Sequence, residues 1–160
     1  MARLYDALTM FLEEDDWAYT PIEGHTALRM GFAGENGRWV CFARSKEAEH
    51  QLLFYSVCPV NAPDAKRGIV AEFITRANYG LAIGNFEMDY EDGEIRFKTS
   101  LAVGASEFDE ELIRRLVFVN VYTMDQYLPG IMSVIYGDIE PALAVARVEV
   151  PVISEPGMAS

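Results

Sequence analysis

Cysteine and histidine are the residue types whose spacing most readily indicates catalysis or metal binding, and the chain has two of each. Cys41 and Cys58 each lie within an apolar, strand-like run, and neither has the Cys-x-x-Cys or Cys/His spacing of a zinc site. We expect reduced thiols that pack as small hydrophobic groups, while a disulfide between neighbouring strands stays open as an alternative. His25 and His50 are far apart and belong to no His-Glu-x-x-His motif, so we expect both at the surface beside strands.

The acidic and glycine-rich stretches are the remaining candidates for binding chemistry. Residues 89–94 are acidic but lack the ligand spacing of a calcium-binding EF-hand loop, and they are interpreted as a hairpin turn. Gly80 and Gly84 enclose a stretch that opens a strand, whereas phosphate binding uses the N terminus of a helix. The sequence also contains no P-loop and no Gly-x-Ser-x-Gly motif. We therefore predict no enzyme activity, no cofactor and no metal site.

The net charge of −12 comes from 25 acidic and 13 basic residues. Because nucleic acids bind mainly through Lys and Arg at their phosphates, we predict that neither nucleic acid nor an anionic membrane is a partner. A basic protein segment could be attracted to such a surface, although an excess of acidic residues more commonly serves solubility. The N-terminal residues lack the apolar stretch of a signal peptide, and no uncharged stretch reaches transmembrane length, so we expect a cytoplasmic protein.

Alternation of apolar residues with a period of two predicts the strands. Three of them form a meander, in which Asn36-Gly37 is expected to make a tight turn with positive φ angles. Two more are joined by the turn at Asp92-Gly93, and the last alternates so clearly that one face of the sheet should be exposed to solvent. The predicted strands cover residues 27–32, 38–44, 51–58, 81–88 and 94–103, and residues 17–22 are interpreted as a short or irregular edge strand.

Together with helical spacing elsewhere, these strands predict an α+β fold in which an antiparallel sheet of about five strands is covered by helices on one face. The expected order is α-βββ-α-ββ-α. The first helix should end near Glu14, and the second should start at Pro63 and end at a left-handed Gly80 cap. Residues 1–150 are expected to form a single domain, followed by a flexible C-terminal tail at residues 151–160.

The third helix should begin at an Asp109 cap, with Phe108 packed on Ile113 as a hydrophobic staple. Pro129-Gly130 should kink or break it, and a continuation through Tyr136 would stop at Gly137. Residues 141–147 are interpreted as a further short helix.

The apolar residues of this third helix spread over roughly 200° of arc at about 100° per residue, about twice the arc that packing on one sheet requires. Either other elements of the same chain bury the helix, or part of it packs on a second subunit, for which a C2 homodimer is the default. On a helical wheel, Phe118 and Tyr122 lie on the side opposite this apolar arc. If the helix packs on a second subunit, they would be interface residues. The candidate protein-interface residues are Phe118, Val119, Tyr122 and Tyr127.

Two segments are distinctive: residues 73–89, FITRANYGLAIGNFEMD, and residues 121–132, VYTMDQYLPGIM. Both resemble the YbjN-domain family, which is described as bacterial sensory transduction regulators, and the resemblance extends from the first helix to about Gly137. It implies a fold similar to type III secretion chaperones, which are α+β proteins that commonly dimerise and bind extended segments of partner proteins. The family has no established catalytic residues, so the resemblance assigns no enzymatic role to this chain.

The leading hypothesis is a non-catalytic, cytoplasmic regulatory or chaperone-like module, homodimeric, that binds a protein segment at an exposed sheet edge or in an apolar groove. The alternative is a small-molecule sensor with a pocket between helices and sheet, lined by residues such as Trp39, Phe54 and Phe86.

Overall fold

The structure, a computed structural model, describes residues 3–104 and 109–149. The helices are α1 (Arg3–Glu14), α2 (Arg67–Gly80), α3 (Glu110–Tyr136) and α4 (Pro141–Val148), and two 3₁₀ turns lie at Glu47–Glu49 and Asp64–Lys66. The strands are β1 (Tyr19–Pro21), β2 (Ala27–Ala33), β3 (Arg38–Lys46), β4 (Gln51–Val57), β5 (Asn85–Met88) and β6 (Ile95–Ala102). All six pair antiparallel in one sheet, in the order β1-β2-β3-β4-β6-β5.

Alternate residues of the strands separate into a covered face and an open face. In β4, Leu52 and Phe54 are fully buried, whereas Leu53 and Tyr55 between and after them are half-buried. The register carries this alternation across the sheet, so that Phe54 lies opposite the buried Ala43 of β3. Residues of all four helices join the buried strand residues in one core. The helices therefore cover one face of the sheet, and the other face is the solvent-exposed face that the sequence predicts.

The observed order of elements follows the predicted α-βββ-α-ββ-α with two additions. The predicted edge segment is a strand, β1, in which Tyr19 lies opposite Met30 of β2, so the sheet has six strands instead of about five. Pro21, at the end of β1, has no N–H to extend the ladder. The second addition is α4, which matches the short helix expected at residues 141–147.

Two boundaries around α2 differ from the prediction. Gly80 is the last residue of α2 and not a left-handed cap, and Gly84, with a φ of 78°, supplies the left-handed conformation instead. The following strand accordingly begins at Asn85, later than alternation alone indicated. Pro63 precedes a 3₁₀ turn, so α2 begins only at Arg67.

The long helix α3 continues through Pro129, where a kink or break was expected. Proline has no N–H, so the carbonyl of Asp125, four residues earlier, has no donor within the helix. Asn36 Nδ2 donates to that carbonyl at 2.9 Å, and the Asp125 carboxylate accepts from the backbone N–H groups of Glu35 and Asn36 at 3.0 and 2.8 Å. The same contacts hold the β2–β3 turn. This turn differs from the prediction, since neither Asn36 nor Gly37 has the expected positive φ.

The wide apolar arc of α3 is covered mainly by its own chain. Gly130 lets α2 approach closely, since a Cβ there would lie 2.7 Å from the ring of Phe73. The sheet, α1 and α4 cover much of the remainder. Of the large apolar side chains in α3, Leu112, Tyr122 and Tyr136 are exposed, at 41%, 60% and 67%. The first of the two explanations for the arc therefore accounts for most of it.

The start of α3 agrees with the prediction, since the Asp109 carboxylate accepts from the backbone N–H of Glu111 at 2.6 Å. The expected contact of Phe108 with Ile113 and the expected tail at residues 151–160 lie outside the described residues.

Candidate functional site

An aromatic cluster lies where the N-terminal half of α3 meets β2 and the segment after α1. We define it by four rings, those of Trp17, Phe32, Phe118 and Tyr122. Phe118 and Tyr122 are one helical turn apart and stack with their centroids separated by 5.6 Å. Trp17 lies 6.2 Å from Phe118 and 5.7 Å from Phe32, and its indole N–H donates to the Gly31 carbonyl at 2.8 Å. The cluster is therefore a fixed surface that joins helix and sheet.

Tyr122 is the exposed end of the aromatic cluster, with 60% of its surface accessible. One shallow groove runs along α3 beside Phe118 and Val119, and a second lies between Tyr122 and the β2–β3 turn beside Phe32. The guanidinium of Arg114 lies 5.8 Å from the centre of the Phe118 ring, a cation–π contact that places positive charge at the rim. Exposed aromatic rings with an arginine at the rim are typical of protein interfaces.

The structure brings three of the four predicted interface residues together. Phe118 and Val119 are half-buried and Tyr122 is exposed, all along the same groove. Tyr127 is only 3% exposed, and its hydroxyl donates to Glu149 at 2.5 Å. Burial, together with that carboxylate, raises the pKa of Tyr127. Tyr127 does not belong to the exposed surface. It lies five residues after Tyr122, and at about 100° per residue its side chain is on the core-facing side of α3.

The residues proposed to line a small-molecule pocket are core residues. Trp39, Phe54 and Phe86 are 5%, 0% and 2% exposed. Phe86 packs edge-on against Phe97, and the indole N–H of Trp39 donates to the Ser56 hydroxyl at 2.9 Å. The two grooves beside the aromatic cluster are lined by other residues. The structure therefore adds no support for a ligand pocket at these three positions.

The two thiols, at Cys41 and Cys58, are free and buried. Desolvation raises the pKa of Cys41 to about 12, against the opposing effect of its polar neighbours Ser56 and Trp39. Desolvation likewise raises the pKa of Cys58 to about 11. Because the thiolate is the reactive form of cysteine, neither side chain supplies a nucleophile near neutral pH.

His25 and His50 are exposed, as their positions beside strands predict. Within residues 3–104 and 109–149, no three His, Cys, Asp or Glu side chains are grouped in a way that could hold a metal ion. In the same part of the chain, no helix combines the length and apolarity needed to cross a membrane.

The edges of the sheet offer little backbone for an added strand. At one edge, β1 has three residues and ends at Pro21. At the other edge, the N–H of Phe86 donates to Asn78 Oδ1 at 2.7 Å, and Asn78 Nδ2 donates back to the Phe86 carbonyl at 3.0 Å. Asn78, from the Ala-Asn-Tyr-Gly element, thus occupies the outward backbone groups of Phe86 in the four-residue strand β5. Of the two predicted binding modes, this geometry favours a groove or face over a sheet edge.

The open face of the sheet carries a feature that strand prediction did not reveal. Its centre consists of half-buried apolar residues of β3 and β4, namely Val40, Phe42, Leu53, Tyr55 and Val57. Six of the 13 basic residues in the chain surround this centre, namely Arg29, Arg38, Arg44, Lys46, Arg96 and Lys98. Glu87 is the acidic residue that the strands place on this face. Basic residues at alternate strand positions were visible in the sequence, but grouping them requires the register of four strands.

Comparisons with known proteins agree with this architecture. A family model described as YbjN, "Putative bacterial sensory transduction regulator", matches residues 4–132. The fold is similar to the crystal structure of YbjN from E. coli, with a TM-score of 0.57 and 13% identity over 83% of this chain and 89% of that chain. It is also similar to a chain in the crystal structure of the ExsC–ExsE complex, with a TM-score of 0.50 and 9% identity over 79% of this chain and 91% of that chain. No curated protein matches the sequence.

At these identities the two structural neighbours bear on the fold alone. They confirm the predicted fold class, an α+β protein with an antiparallel sheet and helices of the type III secretion chaperone-like kind.

Proposed function

The chain belongs to the YbjN family, and on that premise we propose that it is a non-catalytic, cytoplasmic regulatory or chaperone-like module that acts as a homodimer and binds other proteins. The family description names a regulator, and one structural neighbour was solved as a complex of two proteins, ExsC and ExsE. The thiols of this chain are buried and its two histidines are exposed. These positions do not point to catalysis, and they are compatible with a role in protein binding. Fold likeness alone does not carry function, so the proposal depends on a surface of this chain.

The observation that carries the proposal is the exposed end of the aromatic cluster. The other helices cover most of the apolar arc of α3, yet Tyr122 stays 60% exposed and stacked on Phe118. Rigid aromatic side chains contribute much contact area at small entropic cost, which is why they dominate the energetic centres of interfaces. In a C2 dimer the same surface meets its own copy, so each Tyr122 would pack beside the α3 groove of the partner subunit.

Sedimentation velocity at roughly 50 μM tests this assignment on the full chain. The wild type should sediment as a dimer, and Tyr122→Glu should sediment as a monomer, because the substitution places a charge in an apolar contact. Tyr136→Glu is the matched control, since Tyr136 lies on the same helix with a similar exposure of 67%.

Tyr136→Glu should stay dimeric. A monomeric wild type would refute the homodimer, and equal dissociation by both variants would remove the aromatic cluster as its interface.

A further inference from the structure

Basic residues are concentrated on the open sheet face of a strongly acidic protein. The chain has 25 acidic and 13 basic residues, yet the strands place six basic residues and one acidic residue on this face. Random distribution of the charges would give the opposite excess. A positive surface of this kind, on an otherwise negative molecule, is complementary to an acidic partner.

Most of these cations have no side-chain partner in the part of the chain that the structure describes. Among the described residues, the side chains of Arg29, Arg38, Arg44 and Lys46 make no hydrogen bond, ion pair or cation–π contact. The two cations on β6 share the single carboxylate of Glu87, at 2.5 Å for one and 3.3 Å for the other. Within residues 3–104 and 109–149, this face therefore keeps four cations with which no side chain pairs.

The register arranges the cations on both sides of the apolar centre. One row across the sheet reads Arg29 on β2, Phe42 on β3, Tyr55 on β4 and Lys98 on β6. Three strand spacings of about 4.8 Å place the two cations about 14 Å apart. A helix with its side chains is about 10–12 Å wide, so a helix along β3 and β4 would lie between Arg29 of β2 and Lys98 of β6. Acidic side chains flanking its apolar stripe could then reach cations on either side.

The length of the face also suits a helix. β3 has nine residues, from Arg38 to Lys46, and extends about 30 Å at about 3.4 Å per residue. About twenty residues of helix cover the same length. From these observations we infer that the open sheet face docks an acidic amphipathic helix of a partner protein, with the apolar stripe on the centre of the face and carboxylates on the flanking cations.

Two other occupants fit the face less well. A C2 contact of this face with a second copy would bring equivalent cations together, which like-charge repulsion opposes. A single-stranded nucleic acid would stack its bases on aromatic rings, but the guanidinium of Arg96 lies 4.2 Å over Tyr55, one of the two rings on this face. The net charge of −12 would further repel a long polyanion.

This inference rests on the proposed function only in treating the chain as a protein-binding module, since it uses the side of the sheet opposite the aromatic cluster. The probe is a fluorescein-labelled synthetic helix of about twenty residues, with apolar residues at i, i+3, i+4 and i+7 and glutamates at the flanking positions. Fluorescence anisotropy with the full chain should show binding, and the affinity should fall as salt rises from about 0.05 to about 0.5 M. The same peptide with lysines in place of the glutamates should not bind.

The deciding variant is Arg29→Glu/Arg44→Glu, which reverses two exposed cations of the face. Its affinity for the glutamate peptide should be at least about tenfold weaker than that of the wild type. Arg76→Glu/Arg147→Glu changes the net charge equally on α2 and α4 and should stay within about twofold. Arg38→Glu serves as a second variant of the face if circular dichroism shows that the double variant is unfolded.

Equal affinity for the glutamate and lysine peptides, absence of binding by the wild type, or equal weakening by both double variants would overturn the inference. Tighter binding of a single-stranded oligonucleotide than of the glutamate peptide would overturn it as well. Tyr122→Glu should bind the peptide like the wild type, so failure of the homodimer and failure of the sheet-face site give different results.

Discussion

The covered and open faces of the sheet are built from alternate residues of the same strands, yet they differ in nearly every physical property. Phe54 and Tyr55 are adjacent aromatic residues of β4, one completely buried and the other half-buried beneath the guanidinium of Arg96. The covered face is apolar and packed against four helices, whereas the open face combines an apolar centre with cations. Packing constrains the first face, so the composition of the second is freer to serve binding.

The largest expected difference between the two faces comes from truncating these adjacent aromatic residues. Phe54→Ala removes a ring from the closed core and should lower the free energy of unfolding by about 3–5 kcal/mol. Tyr55→Ala loses partial burial and one cation–π contact, and should cost about 1 kcal/mol. Urea denaturation of both variants measures the difference. Similar losses would mean that the open face is packed as the covered face is, and the distinction between them would fail.

A buried amide tests whether the covered face also depends on a specific polar contact. Asn120 of α3 is fully buried, and its Nδ2 donates to the carbonyls of Phe54 and Phe97 at 2.9 and 3.0 Å. Asn120→Ala should lower the free energy of unfolding by about 2 kcal/mol, because both carbonyls lose that donor in the core. Thr123→Ala is the control, since its hydroxyl bonds only within α3, to the Val119 carbonyl, and the change should stay within about 0.5 kcal/mol. Chemical denaturation that gives equal values for the two variants would contradict this role.

Local signals were enough to predict much of the covered face. Alternation in β2, β3 and β4 gave the meander, and the carboxylate of Asp109 caps α3 as its position before the helix indicates. α3 continues past Pro129 to Tyr136 without a break, and the contact that makes this possible is distant in sequence. Asn36, on the β2–β3 turn, supplies the donor that Pro129 leaves absent at the Asp125 carbonyl. No local pattern reports such a partner.

The candidate sites show the same limit. A helical wheel placed Phe118 and Tyr122 on the side of α3 opposite its apolar arc, and both line the exposed groove. Tyr127 lies within the apolar arc of the same wheel, and the structure buries it beside Glu149, a contact that the wheel does not indicate. The open sheet face was expected, but its basic character was missed, since its cations come from β2, β3 and β6 and meet only through the register. The net charge was interpreted mainly as serving solubility, with attraction to a basic segment as the alternative, whereas this face is positive.

A smaller effect concerns how α1 is held over the covered face. The backbone N–H groups of Leu4 and Tyr5 donate to the Glu47 carboxylate at 3.0 and 3.1 Å. Desolvation opposes ionisation of Glu47, but the nearby Ser45 hydroxyl, these two bonds and the positive charge of Arg3 outweigh it, and its pKa is lowered. The folded chain therefore gains stability from this group above its unfolded pKa, and loses that stability as the pH falls through the lowered folded pKa.

Glu47→Gln should accordingly cost about 1 kcal/mol at pH 7, as expected for a weakened helix N-terminal contact. Urea denaturation as a function of pH measures it, and the difference from wild type should close below about pH 4. A difference that grows in acid would reverse the sign of the argument.

The smallest expected effect on stability separates fold from binding on the open face itself. Glu87 pairs with Arg96 and Lys98, but all three side chains are between 29% and 40% exposed, so Glu87→Gln should change the free energy of unfolding by less than about 1 kcal/mol. Removing this carboxylate frees two cations, and the affinity for the acidic helical peptide should rise about threefold, most clearly at low salt. Glu72→Gln makes the same charge change in the Glu72–Arg76 pair on α2 and should leave peptide binding unaltered. Because neither variant disturbs the core, anisotropy titrations that show the same affinity for both would mean that the charge of this face does not select its partner.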